Sequence, residues 1–357
     1  MNFRARDLWE YLSAQKDKKI VMYGMGNGAD KILAVCERYG IEVSDFFASD
    51  GFVRGHLFHG KRVLSYSEMK KKYGADNVIV LLSFASSLPD VLSLFRSVSA
   101  ECELYAPDVP VSGSELFNFE FYENNKMKID AARELLCDAE SKRIYNNVIN
   151  YKLSGDIKYL FDAENVKDEV YVDILGAKDF VSAIDAGAYN GDTARELALY
   201  APSLREIVAL EPDRRNFRKL AAYAEAETRF TVIACNNAAW DKEETLIFDA
   251  SGNRNAGINA AAKKTVDVTG ITIDSVASDH VDYIKYDVEG SERQALAGSI
   301  KTIKRDLPAL LVSAYHRSAD IFELPLLLHE IEPSYKLYLR RYAYVPAWDL
   351  NLLATTK

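Results

Sequence analysis

The sequence predicts an α/β protein built on two doubly wound sheets. The smaller lies at the N-terminus. The C-terminal sheet is seven-stranded with an antiparallel last strand, and a helical connector joins the two. Three observations predict this. Strand-length apolar runs alternate with segments of helical period from Ile20 to Arg96, and again from Phe180 to Ile331. Each series opens on an apolar run that ends in a glycine-bearing turn, Gly24-Met25-Gly26 in the first and Asp185-Ala186-Gly187 in the second. Between them, residues 130–160 repeat apolar side chains at helical period, among them Leu135, Leu136, Ile144, Val148 and Ile149. The expected parts are 1–110, 111–171 and 172–357.

The chain has 357 residues, enough for two cores, with 48% hydrophobic and 27% charged residues. Its net charge of −9 disfavours nucleic acid as the main partner, because phosphate binding needs a basic face. Cys36, Cys102, Cys137 and Cys235 are far apart and form no Cys-x-x-Cys pair, as in a reduced protein. The first residues are charged and lack a signal-peptide core, so the expected location is cytoplasmic. No apolar run is long enough to span a bilayer.

In the N-terminal part, a short amphipathic helix over 3–15 precedes a strand at Ile20–Tyr23. Gly24, Gly26 and Ala29 fit a Gly-x-Gly-x-x-Ala turn, and Gly28 lies within it. The second strand, Glu42–Ala48, ends at Asp50, where a ribose-binding acid would fall. A helix at Ser67–Tyr73, a strand at Asn77–Ser83 and a helix at Leu88–Arg96 continue the alternation. Residues 18–108 resemble the small Rossmann-like domain that precedes the acyltransferase part of some sugar-modifying enzymes, where it binds a nucleotide-sugar. Gly24, Gly26, Gly28 and Asp50 form a nucleotide site in one reading. In the other, the glycines only permit tight strand–helix packing. Pro107, Pro110 and Ser112-Gly113-Ser114 mark the boundary before the connector.

In the C-terminal part, Phe180–Ile184 forms the first strand and delivers Asp185 to its C-terminal end, where open α/β sheets bind ligands. Gly187 removes a side chain where a cofactor must approach the backbone. The turn carries Asp185 and Asp192 but no Lys or Arg before Arg195, so it suits a ligand with hydroxyls, an amine or a positive centre better than a phosphate. S-adenosylmethionine has all three. Glu211 closes the second strand, before Pro212, and can accept both hydroxyls of a ribose. The third strand, Thr231–Cys235, leads to Asn237 and Ala239, which could line an adenine slot; Trp240 could stack there or simply pack. Residues 244–270 alternate as an inserted hairpin, with the Asn253–Asn259 tip as a lid. The fourth strand ends in Asp287-Val288-Glu289-Gly290-Ser291-Glu292, and three acids in six residues are costly unless a cation or a proton sits among them. A helix is expected from Ser291 to Lys304. The fifth strand presents Tyr315-His316 at the same sheet edge. The last two, Tyr335–Arg341 and Leu350–Thr355, make the antiparallel end.

Ile184-Asp185-Ala186-Gly187-Ala188-Tyr189-Asn190-Gly191-Asp192-Thr193, Leu210-Glu211-Pro212, Ile284-Lys285-Tyr286-Asp287-Val288-Glu289-Gly290-Ser291-Glu292 and Tyr315-His316 together resemble the FkbM family of S-adenosylmethionine-dependent methyltransferases over residues 172–357. The resemblance implies a methyltransferase-type sheet and methyl transfer to a hydroxyl of a sugar or sugar-bearing small molecule. It implies that Asp185, Gly187 and Glu211 hold the cofactor, with Asp287 near the transferred methyl. The full expected cofactor set is Asp185, Gly187, Ala188, Tyr189, Glu211, Pro212, Asn237, Ala239 and Asp287.

For the chemistry, His316 or Asp287 is the expected base for the acceptor hydroxyl. Alternatively Asp287 and Glu289 hold a divalent cation, Mg2+ by donor type, that acidifies it. The expected partner is a small-molecule acceptor, a sugar or nucleotide-sugar, with a homodimer as a possible assembly. The competing reading is a two-domain nucleotide-sugar or dinucleotide binding protein whose second sheet is not catalytic.

Overall fold

The computed structural model describes residues 6–249, 257–258 and 265–357. The expected lid tip, Asn253–Asn259, lies largely outside the described residues.

The chain opens with α1 (Leu8–Ser13), capped by the Asp7 carboxylate on the amides of Trp9 and Glu10. Then come β1 (Lys19–Tyr23), α2 (Asn27–Arg38) and β2 (Val43–Ala48), followed by a small hairpin of β3 (Leu57–Phe58) and β4 (Lys61–Arg62). β5 (Leu64–Ser65), α3 (Tyr66–Tyr73), β6 (Val78–Leu82), α4 (Pro89–Glu101) and β7 (Glu103–Tyr105) complete a five-stranded parallel sheet, ordered β5-β2-β1-β6-β7. β6 is buried at every position, as expected of a strand covered on both faces.

The connector is three helices. α5 (Phe119–Glu134), α6 (Ala139–Ser154) and α7 (Lys158–Phe161) replace the continuous helical run expected over 130–160. Asp138 breaks it by capping α6 through the Ser141 amide, an interaction available only to a residue outside the helix. One buried apolar cluster extends from Val21 and Val80 through Ile144 and Ile149 to Ile184 and Leu310, so both sheets and the connector pack as a continuous interior.

The second sheet contains β8 (Ser182–Ala186), β9 (Glu206–Leu210) and β10 (Thr231–Cys235), with α8 (Asp192–Tyr200) and α9 (Arg214–Ala226) between them. A side sheet follows, made of β11 (Ala238–Ala239), β12 (Glu244–Asp249) and β13 (Thr265–Ile271). β12 and β13 pair antiparallel as the expected hairpin. After α10 (Ile273–Val276) come β14 (Tyr283–Tyr286), α11 (Glu292–Ala297), α12 (Ile300–Asp306), β15 (Ala309–Ser313), α13 (Asp320–Ile331), β16 (Lys336–Arg341) and β17 (Leu350–Thr355). The strand order is β10-β9-β8-β14-β15-β17-β16, and β17 is antiparallel to both neighbours. The order reverses between β8 and β14, which creates the crevice where such sheets bind ligands. The helix expected over Ser291–Lys304 is two helices. They part at Gly298, where a side chain would collide with the Trp240 carbonyl. Among the described residues no helix is long and apolar enough to cross a membrane.

Candidate active site

The ends of β8, β9 and β14, together with the loops after β10 and β15, enclose a cavity of about 580 Å³, within the range of small-molecule sites. Gly187, Tyr189, Glu211, Pro212, Ala239, Asp287 and Glu289 line it, so most of the expected site residues share one wall.

Glu211 is almost fully buried. One of its carboxylate oxygens accepts the Tyr189 amide and the other the Asp213 amide, each at 2.8 Å. Burial is the largest influence on it and raises its pKa to about 7, against the lowering effect of these amides. Each oxygen has a second acceptor position, as a ribose diol requires. Tyr189 has φ +47, a conformation that aims its amide at Glu211. Asn236 donates to the carbonyls of Glu211 and Pro212 at 2.8 and 3.2 Å and fixes this turn. Sequence reasoning named its neighbour instead: Asn237 donates to the Thr269 carbonyl of β13 and lies outside the cavity wall.

Gly187 has φ +93 and lines the cavity, but a side chain there would also strike the Asp287 carbonyl. Its absence lets the turn after β8 pass against the turn after β14, a requirement of the protein itself as well as of a ligand. Ala188 packs against Ala209 and Leu220 and contributes no cavity surface. Asp185 also lies behind the wall. It is fully buried, and neither of its oxygens has a hydrogen-bond partner among the described residues. Burial raises its pKa to about 7, opposed by the charge of Lys285.

The acids after β14 surround His316, which is 0% exposed. Its Nδ1 is 2.8 Å from Glu292, and its Nε2 is 3.5 Å from both Asp287 and Glu289. Burial favours the neutral ring, but Glu292 first, then Glu289 and Asp287, overcome it and raise the pKa to about 10. These acids favour the imidazolium, which has no free lone pair to take a proton, so the electrostatics favour a neighbouring carboxylate over His316 as the base. It supplies the positive charge that three clustered acids require. Glu292 is buried and also accepts the Val288 amide at 3.0 Å, so one carboxylate fixes both the imidazole and the acidic turn.

Asp287 and Glu289 differ. Burial works against the Asp287 charge, yet Lys285 and His316 hold it below the usual carboxylate range. Lys285, which sequence reasoning left without a role, sits 3.3 Å from Asp287 and donates to Thr193 at 2.8 Å. Glu289 is raised to about 7, chiefly by burial and against the pull of His316. Its Oε2 has no hydrogen-bond partner among the described residues, and its backbone has φ +53, rare for a non-glycine residue and frequent at working sites. Among the described residues, no group of three or more His, Cys, Asp and Glu side chains is arranged to hold a metal ion, so the Mg2+ expectation finds no donor set.

The far wall comes from Tyr315, Tyr344, Trp348 and Val111. The Tyr315 hydroxyl donates to Asp287 at 3.4 Å, and its ring lies 6.4 Å from that of Trp348. Trp348 belongs to the connection between β16 and β17, which also carries Tyr342 and Tyr344.

Of the residues expected at an N-terminal nucleotide site, Gly28 lines a second, smaller cavity, whereas Gly24, Gly26 and Asp50 do not. Asp50 accepts the Ser67 amide at 3.0 Å and the Ser67 hydroxyl, which ties it to the start of α3. The position of a side chain on Gly24 is filled by Phe84 and Ser83, at 2.6 and 2.8 Å, and that on Gly28 by the Ser83 carbonyl. At both positions the chain passes too close to the loop after β6 for a side chain, whereas one on Gly26 would meet nothing within 4 Å.

Residues 185–345 match the family model described as the Methyltransferase FkbM domain. The chain thus carries a methyltransferase domain of the FkbM type, which implies S-adenosylmethionine as methyl donor. No curated protein matches the chain. Among solved structures, methyltransferase FkbM from Methylobacillus flagellatus KT is similar at 20% identity and a TM-score of 0.72, covering 97% of this chain and 92% of its own. That likeness extends the shared fold to the N-terminal sheet. A putative rRNA methylase from Clostridium thermocellum (12% identity, TM-score 0.34) covers 54% of this chain and 96% of its own. A putative methyltransferase from Streptococcus mutans, solved with SAH, has the same identity and TM-score, and covers 54% and 98%.

Proposed function

We propose that the chain methylates a hydroxyl oxygen of a small, sugar-bearing acceptor, and that the parts 1–110, 111–171 and 172–357 divide the work. The observation that carries this is one cavity lined both by Glu211 on the Gly187–Tyr189 turn and by the acids Asp287 and Glu289.

S-adenosylmethionine supplies an electrophilic methyl on a positive sulfur. The residues present fit it. Glu211 accepts the ribose hydroxyls while the amides of Tyr189 and Asp213 hold it still. Pro212 and the small Ala239 leave room for the purine. Asp287, kept ionised by Lys285 and His316, faces the positive centre. Glu289 accepts the acceptor's proton: its pKa of about 7 lies near working pH, where a general base is most effective. His316 remains protonated and holds Asp287 and Glu289 apart at 3.5 Å from its Nε2. Tyr315 and Trp348 offer ring faces to the apolar face of a sugar. Positioning does most of an in-line displacement, and all these groups sit on strand ends or on turns pinned to them.

The test is calorimetry with S-adenosylhomocysteine, followed by transfer of labelled methyl to a panel of glycosides. Micromolar binding and label in a methyl ether are expected. An inability to bind S-adenosylhomocysteine would sink the reading.

A further inference from the structure

A second cavity, of about 290 Å³, lies where the glycine turn of the N-terminal sheet meets the C-terminal part of the chain. Met25, Ile32, Phe84 and Val109 give it an apolar wall. Val111 and Trp348 line both this cavity and the larger one, so the two spaces adjoin at these residues. From Trp348 the path continues through the Tyr315 ring to the Asp287 carboxylate, which the Tyr315 hydroxyl touches.

The chemistry of this cavity is not that of a phosphate site. Lys31 is its lysine, and its ammonium already donates to the Pro110 and Val111 carbonyls at 3.0 and 2.8 Å. The Ser83 hydroxyl donates to the Tyr23 carbonyl at 3.0 Å. The carboxylate that would take a ribose, Asp50, is bound to Ser67. Lys31 and Ser83 are thus committed to the protein's own backbone, Asn27 is the remaining polar side chain on the wall, and most of what a ligand meets is apolar carbon. The space is roughly twice that of a cavity that holds benzene.

We infer that the second cavity binds a flat apolar group of the acceptor, an aromatic or polyunsaturated ring system of about two fused rings, while the hydroxylated part reaches past Val111 and Trp348 to Glu289. This rests on the methyltransferase reading and narrows its substrate to glycosides or alcohols that carry such a group. A nucleoside diphosphate sugar is the wrong chemistry for this wall.

The experiment uses the full chain saturated with S-adenosylhomocysteine, titrated with 2-naphthyl β-D-glucopyranoside, methyl β-D-glucopyranoside and uridine-diphosphate glucose. The naphthyl glycoside should bind at least about tenfold more tightly than the methyl glycoside, the equivalent of about 1.4 kcal/mol. Met25→Asp and, independently, Val109→Asp should remove that difference and leave S-adenosylhomocysteine affinity unchanged, which also reports that the variants are folded. Equal or absent binding of the two glucosides, or tighter binding of uridine-diphosphate glucose, overturns the inference and leaves the methyltransferase reading standing. Loss of S-adenosylhomocysteine binding by the unaltered chain strikes that reading instead.

Discussion

At the end of β2, the Asp50 carboxylate is bound to the first turn of the next helix. At the end of β9, the matching Glu211 is held by two backbone amides and still lines a cavity. The turns after β1 and β8 differ in the same way. Gly24 is backed by Phe84, whereas Gly187 is backed by the turn that bears Asp287. Both halves use strand, glycine turn and helix. What separates a binding edge from a packing edge is whether the acid at the second strand is taken up by its own helix, and whether the glycine admits a side chain or another functional turn.

The sharpest way to test that contrast is at the acid we propose as the base. Glu289→Gln should lower kcat by about 10²–10⁴-fold, the usual contribution of general base catalysis, with S-adenosylhomocysteine affinity little changed. In the unaltered protein kcat should rise with pH through about 7, the range in which Glu289 loses its proton. A flat profile would assign the base elsewhere.

At the cofactor edge, Glu211→Gln should weaken S-adenosylhomocysteine binding by about 10–100-fold, because one of the two amides loses its acceptor and the ribose loses a charged one. Ribose hydroxyls favour the ionised form of Glu211, so binding should release protons near pH 7 and tighten as pH rises through about 7. Calorimetry in buffers of different ionisation enthalpy measures this.

The buried ion cluster gives the next effect. His316 has its pKa raised from 6.5 to about 10, so its contribution to stability is complete below about 6.5 and is lost as pH rises through about 10. His316→Gln should cost about 3–5 kcal/mol at pH 6, as when one member of a buried ion pair is removed, and markedly less at pH 10. Denaturant melts at the two pH values check it.

The smallest effect belongs to the N-terminal sheet. Asp50→Asn should cost about 1 kcal/mol or less, the worth of a helix-end contact, and leave turnover and S-adenosylhomocysteine affinity unchanged. If it reduces either, the two edges are not as different as their geometry says.

Much of this was legible from residue order. Strand-sized runs ending in Asp185, Glu211 and Asp287 located the sheet edge, because open α/β sheets bring strand C-termini together. The antiparallel β17 was legible from the short connection through Pro346. The protonation of His316 was not, because it depends on Glu292 and Glu289 converging from another strand's turn. Nor was the filling of Gly24 and Gly28, which is done by Ser83 and Phe84 from beyond β6. The breaks at Asp138 and Gly298 escaped because helical period continues across a cap or a close contact. Trp348 and Val111 come from loops with no pattern to read.

The stretch that leaves the N-terminal sheet crosses the acidic turn of the candidate site. The Ser112 amide bonds the His316 carbonyl at 2.8 Å, Ser112 fills the space beside Gly290, and Lys31 of α2 grips the two carbonyls just before it. Tilting one sheet away from the other would therefore pull directly on the backbone that aligns the acids. The crossover and the acidic turn are thus one mechanical unit, so a load on either sheet is felt at Gly290 and His316.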